Sequence, residues 1–267
     1  MLTIPGCKPA PASVVWIRST NSFALAGGAT ASSTFHASSI RLQEVVDLAQ
    51  PQKSDLVLDV ATGTGNTAFA LAPHVRRVIG VDLTREMLAE ARKLSLEKNI
   101  LNVEWMIGDA EHLPFQDDTF DLYTVRAAPH HFADVDAFIA EAYRVLKPDR
   151  DAAFVDCAPP VPAREVLHEV EVRRDPSHIL SLTVEEWVAK LERVGFEVEV
   201  ATARELDWNY EEWMGNQGIG PELSAELAKV IEAAEGEARV QLHPERREGK
   251  LWHAYWHALI RAHKPGG

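Results

Sequence analysis

Leu56-Val57-Leu58-Asp59-Val60-Ala61-Thr62-Gly63-Thr64-Gly65-Asn66 is the stretch that decides the fold. It begins as a short apolar run, which is typical of a buried parallel strand. It ends in two glycines one residue apart, and residues 67–72 then read as a helix. Strand, glycine turn and helix together open a nucleotide-binding βαβ unit. The glycines let the backbone approach a ligand closely, because a Cβ would collide with it.

Two classes of ligand use such a turn, and the turn alone does not separate them. Gly63-x-Gly65-x-x-Ala68 fits the dinucleotide fingerprint, and Asp82 follows near the spacing of its ribose-binding acid. Against a dinucleotide stands Asp59, since an acid beside the turn repels a pyrophosphate. S-adenosylmethionine (SAM) has no phosphate, and a carboxylate attracts its sulfonium and amino groups. The residues therefore favour SAM, with a nicotinamide dinucleotide as the main alternative.

Composition restricts the classes of function. The 267 residues, 46% of them hydrophobic, are enough for one elaborated α/β domain. A net charge of −13 argues against a nucleic-acid partner, which needs a basic surface. We expect no membrane partner, because no apolar run reaches the ~20 residues of a span. Without a signal-peptide layout or a cysteine framework, the chain reads as cytoplasmic.

Strands and helices alternate along the chain, which predicts an α/β fold with a doubly wound, mostly parallel sheet and helices on both faces. The last strand is expected to be antiparallel. Strands are predicted at 56–61, 78–82, 103–108, 120–125, 152–157, 196–200 and 251–260. Helices are predicted at 38–49 and 221–239, and after Thr84, Asp134 and Thr183, which are read as N-caps.

Three acids stand in or just after the first three of these strands: Asp59, Asp82 and Asp109. The carboxyl ends of parallel strands share one edge of the sheet, where ligands bind in open α/β folds. Asp82 suits the two ribose hydroxyls. Asp109 suits the exocyclic amine of an adenine, which needs an acceptor. Because a dinucleotide site does not require this third acid, the pattern again favours SAM.

The order of these motifs resembles that of the class I SAM-dependent methyltransferases, in the branch of the ubiquinone/menaquinone C-methyltransferases and related small-molecule methyltransferases. The resemblance covers about residues 38–157 and is specific for fold and cofactor. Ala61 stands where the family often has a further glycine. Residues 126–131 lack the quinone enzymes' own motif, which argues against a quinone acceptor. The motifs that carry the resemblance are Leu58–Gly65, Asp82, Gly108–Phe115, His130–Phe132 and Val145–Pro148.

The resemblance implies a SAM site and assigns its residues. The methionine part is assigned to the glycine turn, the ribose to the acid after the second strand, and the adenine to the flanking apolar residues and the third acid. A guanidinium is placed beside the methionine carboxylate. The residues assigned to the methionine part are Asp59, Ala61, Gly63 and Gly65; to the ribose, Asp82; to the adenine, Leu83, Met87, Asp109 and Ala110; and to the methionine carboxylate, Arg126.

Catalytic and substrate residues are less sharply defined by the sequence. His131, or else His130, stands where a general base would act on an O, N, S or C nucleophile. Candidate substrate residues are Phe35, His36, Arg174 and His178, the last two in an Arg-Asp-Pro-Ser-His segment. That segment resembles one shared by uncharacterised methyltransferases of the same branch. His253 and His257 alternate along the last strand, which predicts a solvated face and no metal site.

Residues 1–37 are predicted to form an irregular arm or lid. Residues 38–267 are predicted to form one methyltransferase domain, with substrate-cap insertions around 159–182 and 208–249. The predicted function is SAM-dependent methylation of a small-molecule substrate. The alternatives are an NAD(P)-dependent oxidoreductase and a catalytically silent SAM-binding partner protein. The sequence leaves the oligomeric state open, with a homodimer among the options.

Overall fold

The structure is a computed structural model, and it describes the strand at residues 15–18 and residues 42–266. In these residues nine strands form one sheet. The strands are β1 (Val15–Arg18), β2 (Leu56–Val60), β3 (Arg77–Asp82), β4 (Val103–Ile107), β5 (Phe120–Arg126), β6 (Leu146–Cys157), β7 (Glu197–Asn209), β8 (Glu245–Arg247) and β9 (Lys250–Lys264). The α-helices are α1 (Leu42–Ala49), α2 (Asn66–Leu71), α3 (Arg85–Glu97), α4 (Val135–Val145), α5 (Val161–Arg174), α6 (Val184–Val194), α7 (Tyr210–Gly215), α8 (Pro221–Glu232) and α9 (Gly236–Leu242).

The sheet has the order β1-β7-β9-β6-β5-β2-β3-β4, with β8 paired to β9. Within the group β2 to β6, every pair of neighbouring strands is parallel. Strand β9 is antiparallel to both β6 and β7. The predicted fold, including the antiparallel last strand, is therefore confirmed. The winding reverses between β2 and β5, which places a ligand crevice at their carboxyl ends.

The central strands are apolar because both faces of the sheet are covered by helices. Val57 and Leu58 alternate between the two faces of β2, and both are fully buried. Leu58 joins a cluster with Phe138 of α4, while Val57 joins one with Leu71 of α2. Burial on both sides explains why these strands read as continuous apolar runs. It also gives the crevice a rigid floor.

The prediction that residues 1–37 are irregular is wrong at Val15–Arg18, which form β1 and pair in parallel with β7. The apolar run at residues 14–17 is too short for its pattern to identify a strand. The rest of the predicted arm lies outside the described residues, and so do the candidate substrate residues Phe35 and His36. Of the helix predicted at 38–49, the described part begins at Leu42.

The last two long strands extend well beyond the predicted ranges. They pair from Glu197 opposite His263 to Asn209 opposite Trp252. The face of β9 that was expected to be solvated is buried instead, with His253 0% and His257 6% exposed. Helices α5 and α7 cover it, and their side chains cluster with Tyr255 of this face. Alternation along a strand shows which residues share a face, but not whether a helix covers it.

Residues 221–239 do not form a single helix as predicted. Helix α8 ends at Glu232, and α9 begins at Gly236, whose φ is +54°. The predicted N-cap Thr183 of α6 is confirmed, and it forms a capping box: its side chain accepts from the Glu186 backbone N–H, and the Glu186 carboxylate accepts from the Thr183 backbone N–H. Among the described helices, none has both the length and the apolar character that a membrane crossing requires.

Candidate functional site

The carboxyl ends of four parallel strands gather the residues that were predicted to bind a cofactor. Three acids and one guanidinium lie at this edge, beside the turn that follows β2. Asp59 lies in β2, Asp82 ends β3, Asp109 follows β4 and Arg126 ends β5. The structure therefore brings these four side chains to one region of the molecule.

Asp59 is a buried carboxylate held by two hydroxyl groups. The Thr62 Oγ1 donates to it at 2.5 Å and the Thr124 Oγ1 at 2.8 Å. Burial raises the pKa of Asp59 to about 6, against these hydrogen bonds and the charge of Arg126, which lower it. The Arg126 Nε donates in turn to Thr67 Oγ1 at 3.2 Å. A cation bound nearby would stabilise the charged form of this buried acid.

Asp82 is held at the turn by two backbone N–H groups. Gly63 donates to its Oδ2 and Thr84 to its Oδ1, each at 2.8 Å. Each carboxylate oxygen has a second lone pair, so Asp82 can still accept from two hydroxyl groups. Thr84 is the N-cap of α3 as predicted, but its hydroxyl makes no capping hydrogen bond.

The two glycines of the turn are required for different reasons. Gly63 has a φ of +56°, and a Cβ there would meet no described atom within 4 Å. Gly65 has a φ of +87°, and a Cβ there would lie 2.3 Å from Cη2 of Trp105. Gly63 therefore borders open space, whereas Gly65 makes room for an indole ring.

Ala61 adopts a left-handed conformation with a φ of +49°. This conformation costs an L residue about 1–2 kcal/mol, and the added freedom of an unfolded glycine offsets about 0.4–1 kcal/mol of that. We expect Ala61→Gly to raise the free energy of unfolding by about 1 kcal/mol in urea titrations. Ala68→Gly, inside α2, is the control and should lower it. Equal losses in both variants would contradict the strain at Ala61.

Apolar side chains border the acids at the rim of the crevice. Leu83 and Met87 are 67% and 46% exposed, which is unusual for large apolar residues. Ala110 is buried beside Asp109, whose Oδ1 accepts from the Glu111 N–H at 2.9 Å. An apolar rim next to an acceptor suits a flat ring with an amino group.

The two histidines after β5 have opposite environments. The Nδ1 of His130 lies 2.6 Å from Oδ1 of the buried Asp156. Burial lowers the pKa of His130, but the charge of Asp156 overrides this and holds it well above 6.5. For His131, burial and then the charge of His130 lower the pKa below 6.5. Its Nδ1 lies 3.1 Å from the hydroxyl of Ser177.

The Arg-Asp-Pro-Ser-His segment begins at the last residue of α5 and packs on these histidines. The backbone N–H of Ile179 donates to the His130 carbonyl at 2.8 Å. The buried ring of His178 lies 5.3 Å from that of His130, and burial lowers its pKa to about 4. Arg174 instead pairs with Glu171 at 3.2 Å and lies over the ring of Trp213. The structure thus brings His178, but not the guanidinium of Arg174, to the histidine pair.

Sequence reasoning missed several partners of these residues. Thr62, Thr124 and Thr67 hold Asp59 and Arg126, and nothing in their local pattern singles them out. Asp156 could have been found, because it is an acid inside an apolar strand just as Asp59 is. Ser177 lies in a segment that the sequence did single out, but without a role for its hydroxyl.

Two clusters of the described residues have donor atoms within 4.8 Å of one another: His130 with Asp156 and Cys157, and His263 with Asp151 and Glu199. Asp151 lies 2.7 Å from Nδ1 of His263, although the two residues are far apart in the sequence. In both clusters the histidine is already paired with an aspartate. The prediction that the chain binds no metal stays a prediction.

Comparison with known proteins assigns this geometry to a family. A family model described as a methyltransferase domain matches residues 57–149. The uncharacterized methyltransferase YcgJ of Bacillus subtilis is 35% identical over 197 residues, 73% of this chain and 78% of that protein. The ubiquinone/menaquinone biosynthesis C-methyltransferase UbiE of Rickettsia prowazekii is 37% identical over 105 residues, 42% of its length.

Solved structures agree with these relatives. The crystal structure of YcgJ superimposes with a TM-score of 0.80 at 32% identity, covering 87% of this chain and 100% of that one. A putative methyltransferase from Bacillus halodurans gives 0.79 at 33% identity, covering 84% and 99%. The buried acid, the open space at Gly63 and the free lone pairs of Asp82 fit SAM as the cofactor. The chain therefore belongs to the class I SAM-dependent methyltransferases.

Proposed function

We propose that the chain transfers the methyl group of SAM to a small molecule, with His131 as the general base. The observation that carries this proposal is the pair of histidines with opposite environments at the carboxyl edge of the sheet. The net charge of −13 argues against a nucleic-acid acceptor. A small-molecule acceptor is also what the name of UbiE, a C-methyltransferase of quinone biosynthesis, indicates for that relative.

Each part of SAM has a matching group in this proposal. Asp59 attracts the amino and sulfonium groups, Asp82 accepts from the ribose hydroxyls, and Arg126 pairs with the methionine carboxylate. Asp109 and Ala110 take the edge of the adenine, and its faces lie against Leu83 and Met87. When bound, SAM supplies a methyl group that its sulfonium already makes electrophilic. The chain therefore contributes mainly by holding the acceptor in line and excluding water.

The opposite pKa shifts support different roles for the two histidines in this proposal. His130 is protonated at neutral pH through its contact with Asp156, so it has no lone pair free to take a proton. His131 is neutral at the same pH and more exposed, so it can act as the base. Neighbouring groups whose pKa values are pushed apart are typical of an acid and base pair. The cap predicted around 159–182 would then contain His178 and cover the acceptor.

Affinity for SAM should fall in acid. Asp59 has a pKa of about 6 and attracts a cation only when it is ionised. Its ionised fraction, and hence the affinity, should fall up to about tenfold per pH unit below 6 and stay level above about 7. Calorimetric titrations with SAM from pH 5 to 8 measure this. Asp59→Asn should bind weakly at every pH, and a pH-independent wild type would contradict the role of Asp59.

The function itself is tested by titrating the protein with SAM, S-adenosylhomocysteine and NADH. We expect micromolar dissociation constants for the first two compounds and no binding of NADH. Transfer of radiolabelled methyl from SAM to members of a panel of small hydroxylated compounds would then exclude a silent SAM-binding protein. His131→Gln should lower this transfer without changing the affinity for S-adenosylhomocysteine. Binding of NADH alone would overturn the proposal.

A further inference from the structure

The turn at residues 175–178 holds a carboxylate in a fixed position next to the histidine pair. Asp175 closes the turn through its backbone carbonyl, which accepts from the His178 backbone N–H at 2.9 Å. Its Oδ1 accepts from the Ser177 hydroxyl at 2.6 Å and from the Ser177 N–H at 3.0 Å. Its Oδ2 accepts from the Gln217 side chain at 3.1 Å. The carboxylate is therefore held from both of its oxygens.

The hydrogen positions in this chain of contacts follow from counting donors. A serine hydroxyl has one hydrogen, and a carboxylate can only accept. Ser177 therefore donates to Asp175, at the short distance typical of a charge-assisted bond. Its oxygen must then accept from Nδ1 of His131, which lies 3.1 Å away. His131 consequently carries its hydrogen on Nδ1.

A neutral imidazole has one N–H and one lone pair. Burial and the charged His130 keep His131 in its neutral form near pH 7. With the hydrogen on Nδ1, the lone pair is on Nε2, on the side of the ring away from Ser177. An acid that holds a histidine in one tautomer is the arrangement used by many general bases, here with a hydroxyl between the two groups.

We propose that Asp175 and Ser177 are positioning residues that fix the tautomer of His131 and that its Nε2 deprotonates a hydroxyl group of the acceptor. This inference rests on the proposed function. The acceptor's O–H bond breaks as its oxygen gains the methyl group. The proton passes to Nε2 of His131, while the carbon–sulfur bond breaks and its electron pair stays on the sulfur.

His178 supports a hydroxyl compound as the acceptor. Its ring is 6% exposed, and neither ring nitrogen has a hydrogen-bond partner in the described residues. The ring lies 6.5 Å from that of His131. A buried donor and acceptor without partners are unfavourable unless a ligand completes them. A hydroxyl group that gives its hydrogen to Nε2 of His131 can still accept from the N–H of the His178 ring.

The test is long-range proton–nitrogen NMR of histidine-labelled protein saturated with S-adenosylhomocysteine. His131→Gln identifies the signals of His131 by their loss. We expect the wild type at pH 7 to show the neutral ring with its hydrogen on Nδ1. Ser177→Ala should move part of the ring population to the other tautomer, since only the Ser177 backbone then remains beside the ring; a purely structural serine would not have this effect. A charged His131, or the other tautomer in the wild type, overturns the proposal.

Two controls separate the parts of this inference. Ser181→Ala removes a hydroxyl three residues beyond the turn, where it contacts Cys157 at 2.9 Å, and it should leave the His131 signals unchanged. Adding phenol, but not toluene, should shift the NMR signals of Nε2 of His131 and of the ring nitrogens of His178. No shift of these signals with phenol would refute the hydroxyl acceptor. Failure to bind S-adenosylhomocysteine in calorimetry would instead refute the proposed function, while the tautomer could still be read.

Discussion

Gly65→Ala should destabilise the fold by about 2–5 kcal/mol, from about 1–2 kcal/mol of left-handed strain and about 1–3 kcal/mol of overpacking. The added Cβ would lie 2.3 Å from the indole of Trp105, and that ring is packed edge to face against Phe69. For a chain of this size we expect the midpoint of thermal unfolding to fall by about 5–15 °C. Circular dichroism on heating measures it.

Gly63→Ala is the matched control, because it adds the same methyl group two residues earlier in open space. Only the left-handed strain of about 1–2 kcal/mol applies there. The fold should therefore persist, and we expect the affinity for SAM to fall because the methyl group is added to the turn that is proposed to hold the cofactor. Trp105→Phe should recover part of the loss in Gly65→Ala, as a double-mutant cycle can show. Equal destabilisation by the two alanines would refute the separate reasons given for the glycines.

Asp82→Ala should reduce the affinity for S-adenosylhomocysteine by about 100- to 1000-fold. Two hydrogen bonds to a charged acceptor are worth about 3 kcal/mol or more together. The variant also frees the Gly63 N–H, which Asp82 now holds at 2.8 Å. Isothermal titration calorimetry at pH 7.5 measures the dissociation constant directly.

Glu104→Ala provides the comparison for Asp82→Ala. Glu104 is an exposed acid on the neighbouring β4, where it pairs with Arg77. Its removal changes the net charge of the protein by the same amount, yet it should leave the affinity within about twofold, because surface ion pairs contribute little. A similar loss in both variants would mean that the overall charge, and not the contact with ribose, governs binding.

The parallel half of the fold could be predicted because its signals are local. Strand β2, the glycine turn and the acid that ends β3 follow one another within 27 residues, positions 56 to 82. Each signal has a direct physical cause, namely burial on two faces, a left-handed turn or a hydrogen-bond acceptor. The edge that gathers Asp59, Asp82 and Asp109 follows from the rule that parallel strands end on one side.

The antiparallel half depends on contacts that no local pattern contains. His253 and His257 alternate as on an exposed strand, but α5 and α7 cover them in the folded chain. The hydroxyl of Ser177 contacts His131 only in the folded chain, because the two residues are 46 positions apart in the sequence. Sequence reasoning therefore predicted which acids gather at the carboxyl edge of the sheet but could not distinguish between His130 and His131.

Strand β9 follows every other described strand in the chain, yet it lies inside the sheet, between β6 and β7. Its contact from His263 to Asp151 joins residues 112 positions apart. During synthesis, β6 therefore has an unpaired edge until β9 has emerged from the ribosome, and an unpaired edge readily recruits other strands. Contacts so distant in sequence also slow folding. The parallel half and the antiparallel half of the sheet are therefore joined late, because β9 is the strand that connects them.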